Sequence, residues 1–274
     1  MLKIAILDLY DGHANQGMRC IREIITEFGA VQGISIKFDE FDVRQKLEVP
    51  GLDYDAYISS GGPGSPLDSE GSEWESRYFK WFSALGAHNA NPMANRKKPA
   101  FFICHSFQLI CRHLNLAVVN KRKSTSFGVF PIHPIIDLNS EPVFCGLKDP
   151  FYAVDSRDYQ VIQPNHKRLR EIGGRILCIE KDRPHVPLER AIMGIRFNQW
   201  MMGTQFHPEA DAIGMSMYLR SEEKKKTVIA SHGEAKWNSM IEHLEDPDKI
   251  LFTQNHVLPN FLELALGILE PQMA

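Results

Sequence analysis

Short apolar runs alternate along the chain with stretches whose apolar positions recur every three or four residues. Leu2–Leu9 is an apolar run suited to a first, central strand, and Asp11-Gly12 turns the chain after it. From Asn15 to Phe28, residues Met18, Ile21, Ile24, Ile25 and Phe28 mark one face of a helix, with Gly29 as its stop. Ile34–Phe41 and Tyr54–Ser60 read as second and third strands. Ser72–Leu85 places Trp74, Tyr78, Trp81, Phe82 and Leu85 at helical spacing, an aromatic stripe suited to core packing. Gly86–Lys98, with Asn89, Asn91, Pro92 and Asn95, reads as an exposed connection. Ala100-Phe101-Phe102-Ile103 suits a strand buried on both faces, and Phe107, Ile110, Cys111 and Leu114 behind it form a helical stripe. This alternation predicts an α/β layered domain with a mostly parallel sheet.

Beyond that helix, Lys121-Arg122-Lys123 reads as a solvated loop. Phe127–Asp137 and Pro150–Tyr159 read as shorter strands, Asn165–Ile172 as a short helix, and Arg175–Glu180 and Ala191–Phe197 as two further strands. The pattern turns helical after residue 210. Asp211–Glu223 carries Ile213, Met217 and Leu219; Glu222–Lys226 is a solvated charged face; Glu234–Leu244 is a further helix closed by Asp246-Pro247. Val257–Leu269 is strongly apolar and either packs on the domain or covers a subunit interface. The expected organisation is a catalytic domain over 1–210 and a helical extension over 211–274 packed on it.

Composition narrows the class. The chain has 274 residues, 43% apolar and 24% charged, which is ordinary for a globular protein able to bury a large core. A formal net charge of −3 gives no reason to expect nucleic acid. No apolar run approaches a membrane span, and the N-terminal stretch, with Asp8 inside it, reads as a strand and not a signal peptide. Five widely spaced cysteines without a CxxC argue against a disulfide framework or a zinc site. They point to a reducing compartment and fit a cytoplasmic enzyme with one usable thiol; no metal or cofactor is expected.

Cys104 stands between the buried strand and the helix after it. A side chain on such an elbow is pushed out of the sheet, and the helix N-terminus favours thiolate over thiol. Gly61-Gly62-Pro63-Gly64-Ser65-Pro66 can neither continue a strand nor start an ordinary helix, and lets backbone N–H groups approach a ligand. His207 precedes Pro208, which biases it toward an extended shape, and Glu209 lies two residues on. A thiol, an imidazole with a nearby carboxylate and a glycine-rich loop are the parts of nucleophilic acyl transfer. Cys104 would attack a carbonyl, His207 would carry the proton, Glu209 would orient His207, and amides of the Gly61–Gly64 loop and of His105 would hold the oxyanion.

SSGGPGSP, FFICHSFQ and GTQFHPE, in this order, resemble the three signatures of class I (triad-type) glutamine amidotransferases, over roughly residues 1–210. The resemblance is greatest to the glutaminase domain of GMP synthase and to stand-alone proteins related to it. It implies a flavodoxin-like α/β fold and hydrolysis of the glutamine side-chain amide through a γ-glutamyl thioester. It implies Cys104 as nucleophile, His207 as base and Glu209 as third member. It implies Gly62 and His105 at the oxyanion hole, and Gln108, with Gly61, Ser156 and Arg157, around the substrate.

Three positions depart from the family pattern. Phe102 and Ser106 stand where the elbow usually has glycine, and Arg157 follows Ser156 where a histidine is usual. An arginine there could pair with a carboxylate of another γ-glutamyl compound. No nucleotide-binding motif follows Glu209, so the implied partner for ammonia is a separate synthetase subunit. Two alternatives stay open at this point: a stand-alone γ-glutamyl hydrolase or peptidase, and a non-catalytic binding module on the same fold.

Overall fold

A computed structural model describes residues 1–185, 187–220, 222–246 and 249–267. The strands are β1 (Leu2–Asp8), β2 (Ile36–Asp42), β3 (Ala56–Ser59), β4 (Ala100–Ile103), β5 (Val118–Pro134), β6 (Phe151–Ile162), β7 (Arg175–Ile179), β8 (Ile192–Asn198) and β9 (Met201–Thr204). The helices are α1 (Gly17–Gln32), α2 (Glu73–Ala90), α3 (His105–His113), α4 (His166–Glu171), α5 (Ala212–Leu219), α6 (Glu222–His232), α7 (Glu234–Glu245), α8 (Ile250–Gln254) and α9 (Val257–Leu266).

The strands form one sheet in the order β2-β1-β3-β4-β9-β8-β7-β5-β6. The pairs from β2 to β9 are parallel, and those from β9 to β6 are antiparallel. The expected mostly parallel sheet is therefore corrected to a mixed one, and β1 is second from an edge, not central. The cause lies in the connections. Helical crossovers link β1 to β2 and β3 to β4, but β8 to β9 turns back within a few residues, which only an antiparallel pair allows.

Strand alternation divides the core. Ile4, Ile6 and Phe101 face one side, where they meet Ile21 and Ile25 of α1 and Phe261 and Leu262 of α9. Ala5, Leu7 and Phe102 face the other, against Tyr78 and Trp81 of α2 and Phe107 of α3. Of the two possibilities for the last apolar stretch, α9 packs on the domain; Ile268 and Leu269 lie outside the described residues, as does Pro247. A third core joins Val129 and Val154 of β5 and β6 to Met215, Leu219, Met240 and Leu244 of the later helices.

Several boundaries move. Gly29 does not stop α1, which runs on to a left-handed cap at Gly33 (φ 64°). A β-carbon at Gly29 would lie 3.2 Å from the Ile34 carbonyl, so this glycine lets the helix pack close to the chain entering β2. The Gly86–Lys98 connection begins inside α2, which Ser72 caps by accepting from the Glu75 amide. Lys121-Arg122-Lys123 lies within β5, and the Arg122 guanidinium is buried against Glu180. Asp211–Glu223 is not one helix: α5 ends at Leu219, and Ile213 and Met217 are exposed.

Candidate functional site

β4 ends at Ile103 and α3 begins at His105, so Cys104 alone makes the turn, at φ 47° and ψ −95°. This backbone region costs a non-glycine residue on the order of 1–3 kcal/mol and persists only where neighbours over-determine it. Cys104 N donates to the Thr204 carbonyl of β9 at 2.7 Å, and Gln108 N donates to the Cys104 carbonyl at 3.0 Å. Ser106 Oγ accepts from Ile103 N at 2.8 Å and lies 2.9 Å from the Ser59 carbonyl. The hydroxyl at this family-glycine position thus ties β3, β4 and the first turn of α3 together. Phe102 is fully buried among Trp81, Phe82 and Phe197. Its room comes from the adjacent strand: a β-carbon at Gly203 would lie 2.7 Å from the Phe102 carbonyl.

His207 approaches from the loop after β9. Its amide donates to the Val154 carbonyl of β6 at 2.8 Å, and its Nδ1 lies 2.8 Å from Glu209 Oε1. The imidazole also interacts electrostatically with the Cys104 thiol. Burial pulls the imidazolium down, but the charges of Glu209 and Cys104 outweigh it and hold its pKa well above the ordinary value. Glu209 is buried, and its Oε2 has no hydrogen-bond partner among the described residues. Cys104 Sγ also receives Gln205 Nε2 at 3.6 Å and faces the Ser156 carbonyl at 3.8 Å. Thiol, imidazole and carboxylate stand in series, an arrangement able to pass a proton from sulfur to nitrogen and to steady the resulting charge.

Cys104, His207 and Glu209 line one cavity of about 830 Å³, with Gly62, His105, Gln108, Ser156 and Arg157 in its wall. Gly61 packs against the His207 ring instead: a β-carbon there would lie 2.9 Å from Cε1. At Gly62 a β-carbon would lie 2.4 Å from the Leu9 carbonyl, so only glycine lets the loop lie this close to the end of β1. The His105 side chain is buried, and burial, then Arg44 and Arg112, pushes its pKa down to about 3. It is neutral there, and what it can offer the cavity is its backbone. Gln108 Nε2 donates to Gln205 Oε1 at 3.1 Å and to the Tyr159 carbonyl at 3.3 Å, so this amide braces the wall.

Arg157 also lines the cavity, but its side chain is engaged within the protein. Its Nε donates to both carboxylate oxygens of Asp155, at 2.8 and 3.0 Å, its Nη2 to Glu180 and its Nη1 to the Tyr159 carbonyl. The side chain is 1% exposed. The guanidinium bonds that the structure shows are all to groups of the protein itself.

The sequence model of the class-I glutamine amidotransferase family matches residues 6–225. The chain belongs to this family. Solved structures share the fold at low identity. A glutamine amidotransferase from Thermotoga maritima is 16% identical with a TM-score of 0.66, over 97% of this chain and 98% of that one. A candidate GMP synthase subunit from Thermoplasma acidophilum is 21% identical with a TM-score of 0.50, over 86% and 98%. The acivicin-bound glutaminase domain of Trypanosoma brucei CTPS is 14% identical with a TM-score of 0.51, over 84% and 94%. No curated protein matches the chain.

The fold also brings Tyr10 and Gln205 to the site, two residues not singled out in the sequence. The Tyr10 hydroxyl lies 2.2 Å from where a β-carbon of Gly17 would stand, and Glu209 Oε1 lies 3.3 Å from the same point. Burial, then the Glu209 and Cys104 charges, pushes the Tyr10 phenol well above its ordinary pKa. The available signals are a polar aromatic at the end of an apolar strand and a glutamine inside GTQFHPE. Among the described residues no group of three or more His, Cys, Asp or Glu is placed to hold a metal, and no helix is long and apolar enough to cross a membrane.

Proposed function

We propose that the protein hydrolyses a γ-glutamyl amide bond through a cysteine thioester; glutamine is the donor that its family binds. The observation that carries this reading is the Cys104–His207–Glu209 series at a strained strand–helix elbow, opening into a cavity. Cys104, as thiolate beside the His207 imidazolium, attacks the side-chain carbonyl. The Gly62 and His105 amides receive the oxyanion, a contribution commonly worth about 3–4 kcal/mol per donor. His207 then protonates the leaving nitrogen, and Glu209 holds its ring. Water enters, gives its proton to His207 and releases the acid from Cys104. Residues 1–210 carry this chemistry, and Gly214, Met215 and Met217 of α5 line part of the cavity. With glutamine as donor, ammonia passes to an acceptor; members of this family often pair with a synthetase domain.

The intact series speaks against a purely binding role. The test is labelling with an electrophilic glutamine analogue such as acivicin, followed by intact mass and peptide mapping. A single adduct on Cys104 that is lost in His207→Ala is the expected result. A Cys104→Ala variant that keeps full hydrolytic activity would overturn the mechanism.

A further inference from the structure

We propose that the donor is a γ-glutamyl amide whose amine carries an apolar body, so that the leaving group is larger than ammonia; this rests on the hydrolase reading above. Size is the first argument. A cavity of about 830 Å³ lies within the roughly 300–1,000 Å³ that drug-sized ligands fill. A free glutamine leaves much of it empty.

The second argument is which wall the leaving group meets. The leaving nitrogen departs on the side of the group that protonates it, His207. From Glu209 the wall continues through the start of α1 and the start of α5, which meet there: a β-carbon at Gly214 would lie 3.0 Å from Gln16 Cβ. Met215 and Met217 of α5 also line the cavity.

The third argument is the character of this wall. Three of its polar side chains, Asn15, Gln16 and Asp211, are already engaged within the protein. Asn15 Oδ1 accepts from Met18 N at 2.9 Å, and Gln16 Oε1 accepts from Arg19 Nε at 2.7 Å. Asp211 Oδ1 accepts from Arg19 at 2.8 Å and from Gly214 N at 2.7 Å. Cys20 is held as a neutral thiol, its pKa pushed up to about 12 by burial and then by the Asp211 and Glu209 charges. Ala14, Ala210, Gly214 and the two methionines supply apolar lining for an occupant, beside His13, which also lines the cavity. Met217 is 61% exposed at the rim, an adaptable apolar side chain that an alkyl or aryl group would cover.

The chemistry balances without a further reactant. The Cys104 Sγ–carbon bond forms, the carbon–nitrogen bond breaks, and the His207 proton leaves on the amine. Water then replaces sulfur on the carbonyl carbon and returns a proton to His207.

The experiment compares kcat/KM on the full chain for glutamine, γ-glutamylmethylamide and γ-glutamylbutylamide. Each methylene buried on the wall is worth about a fourfold gain, so the butylamide is expected to exceed the methylamide at least tenfold. Met217→Glu is expected to lower that ratio at least threefold; an unchanged ratio removes this wall from the assignment. A flat or falling series with glutamine fastest overturns the inference and leaves the hydrolase reading standing. No hydrolysis of any amide and no acivicin adduct on Cys104 removes both.

Discussion

Val154 and His207 are joined by a single antiparallel bridge, in which the His207 amide donates to the Val154 carbonyl at 2.8 Å. This bridge fastens the loop bearing His207 and Glu209 to β6. Two residues further along β6, the Ser156 carbonyl faces the Cys104 thiol, and beyond it the Tyr159 carbonyl receives Gln108. One strand therefore sets the position of proposed nucleophile and base together, and any residue that fixes β6 fixes their alignment.

Arg157 is that residue. Its guanidinium joins Asp155 of the same strand to Glu180, which also binds Arg122 and Arg183. Removing one member of a buried ionic group leaves its partners uncompensated, at a cost of about 3–5 kcal/mol. Arg157→Ala is expected to lose about that much in urea unfolding. In the fraction that remains folded, acivicin labelling of Cys104 is expected to slow. An Arg157→Ala protein with wild-type stability and a raised KM would make Arg157 a substrate ligand after all.

Ser106 occupies a position where glycine is usual, and its hydroxyl accepts from Ile103 N and reaches the Ser59 carbonyl. Ser106→Ala leaves the Ile103 amide buried without that partner, at about 1–3 kcal/mol. A lowered melting temperature with reduced Cys104 labelling is expected. Ser106→Ala melting with the wild type would mean the elbow is held by the Cys104 and Gln108 backbone bonds alone.

Much of the site is legible in the sequence because its parts are local. An apolar run, one cysteine and a helical stripe are contiguous, so the elbow can be read from residues 100–114. The His207–Glu209 pair is equally local. The sheet is harder. The antiparallel half depends on β5 and β6 pairing across a long connection, and β5 is polar along Asn120–Ser126 because Arg122 serves an ionic group and not the apolar core. The role of Arg157 is hidden for the same reason: its partner Glu180 is remote in sequence, and no period in the chain announces it. The Tyr10 contact with Gly17 depends on how tightly a loop folds back on a helix start.

That contact yields a paired prediction. A β-carbon on Gly17 would lie 2.2 Å from the Tyr10 hydroxyl and 3.3 Å from Glu209 Oε1. Gly17→Ala is expected to displace the phenol toward the site and to lower kcat/KM at least tenfold, on the order of what small misplacements near a reacting group cost. Tyr10→Phe removes the atom in the way, so the double variant Tyr10→Phe with Gly17→Ala is expected to recover activity relative to Gly17→Ala alone. Equal activities for the single and double variants would locate the damage in Glu209 instead.

His207 gives a pH dependence with a fixed sign. Burial lowers its pKa, but Glu209 and Cys104 raise it more, so the folded value lies well above the ordinary one of the unfolded chain. A group whose pKa is raised on folding binds its proton more tightly in the folded state, and stability falls as pH rises through the folded value. The contribution of His207 is therefore complete below about pH 6.5 and declines above it. The melting-temperature advantage of the wild type over His207→Gln is expected to be greatest in mild acid and to shrink toward alkaline pH. An advantage that grows with pH would mean that burial prevails and the imidazole is neutral in the folded protein. The proposed first step would then begin from a neutral thiol and imidazole, and labelling of Cys104 would have to wait for His207 to take its proton during attack.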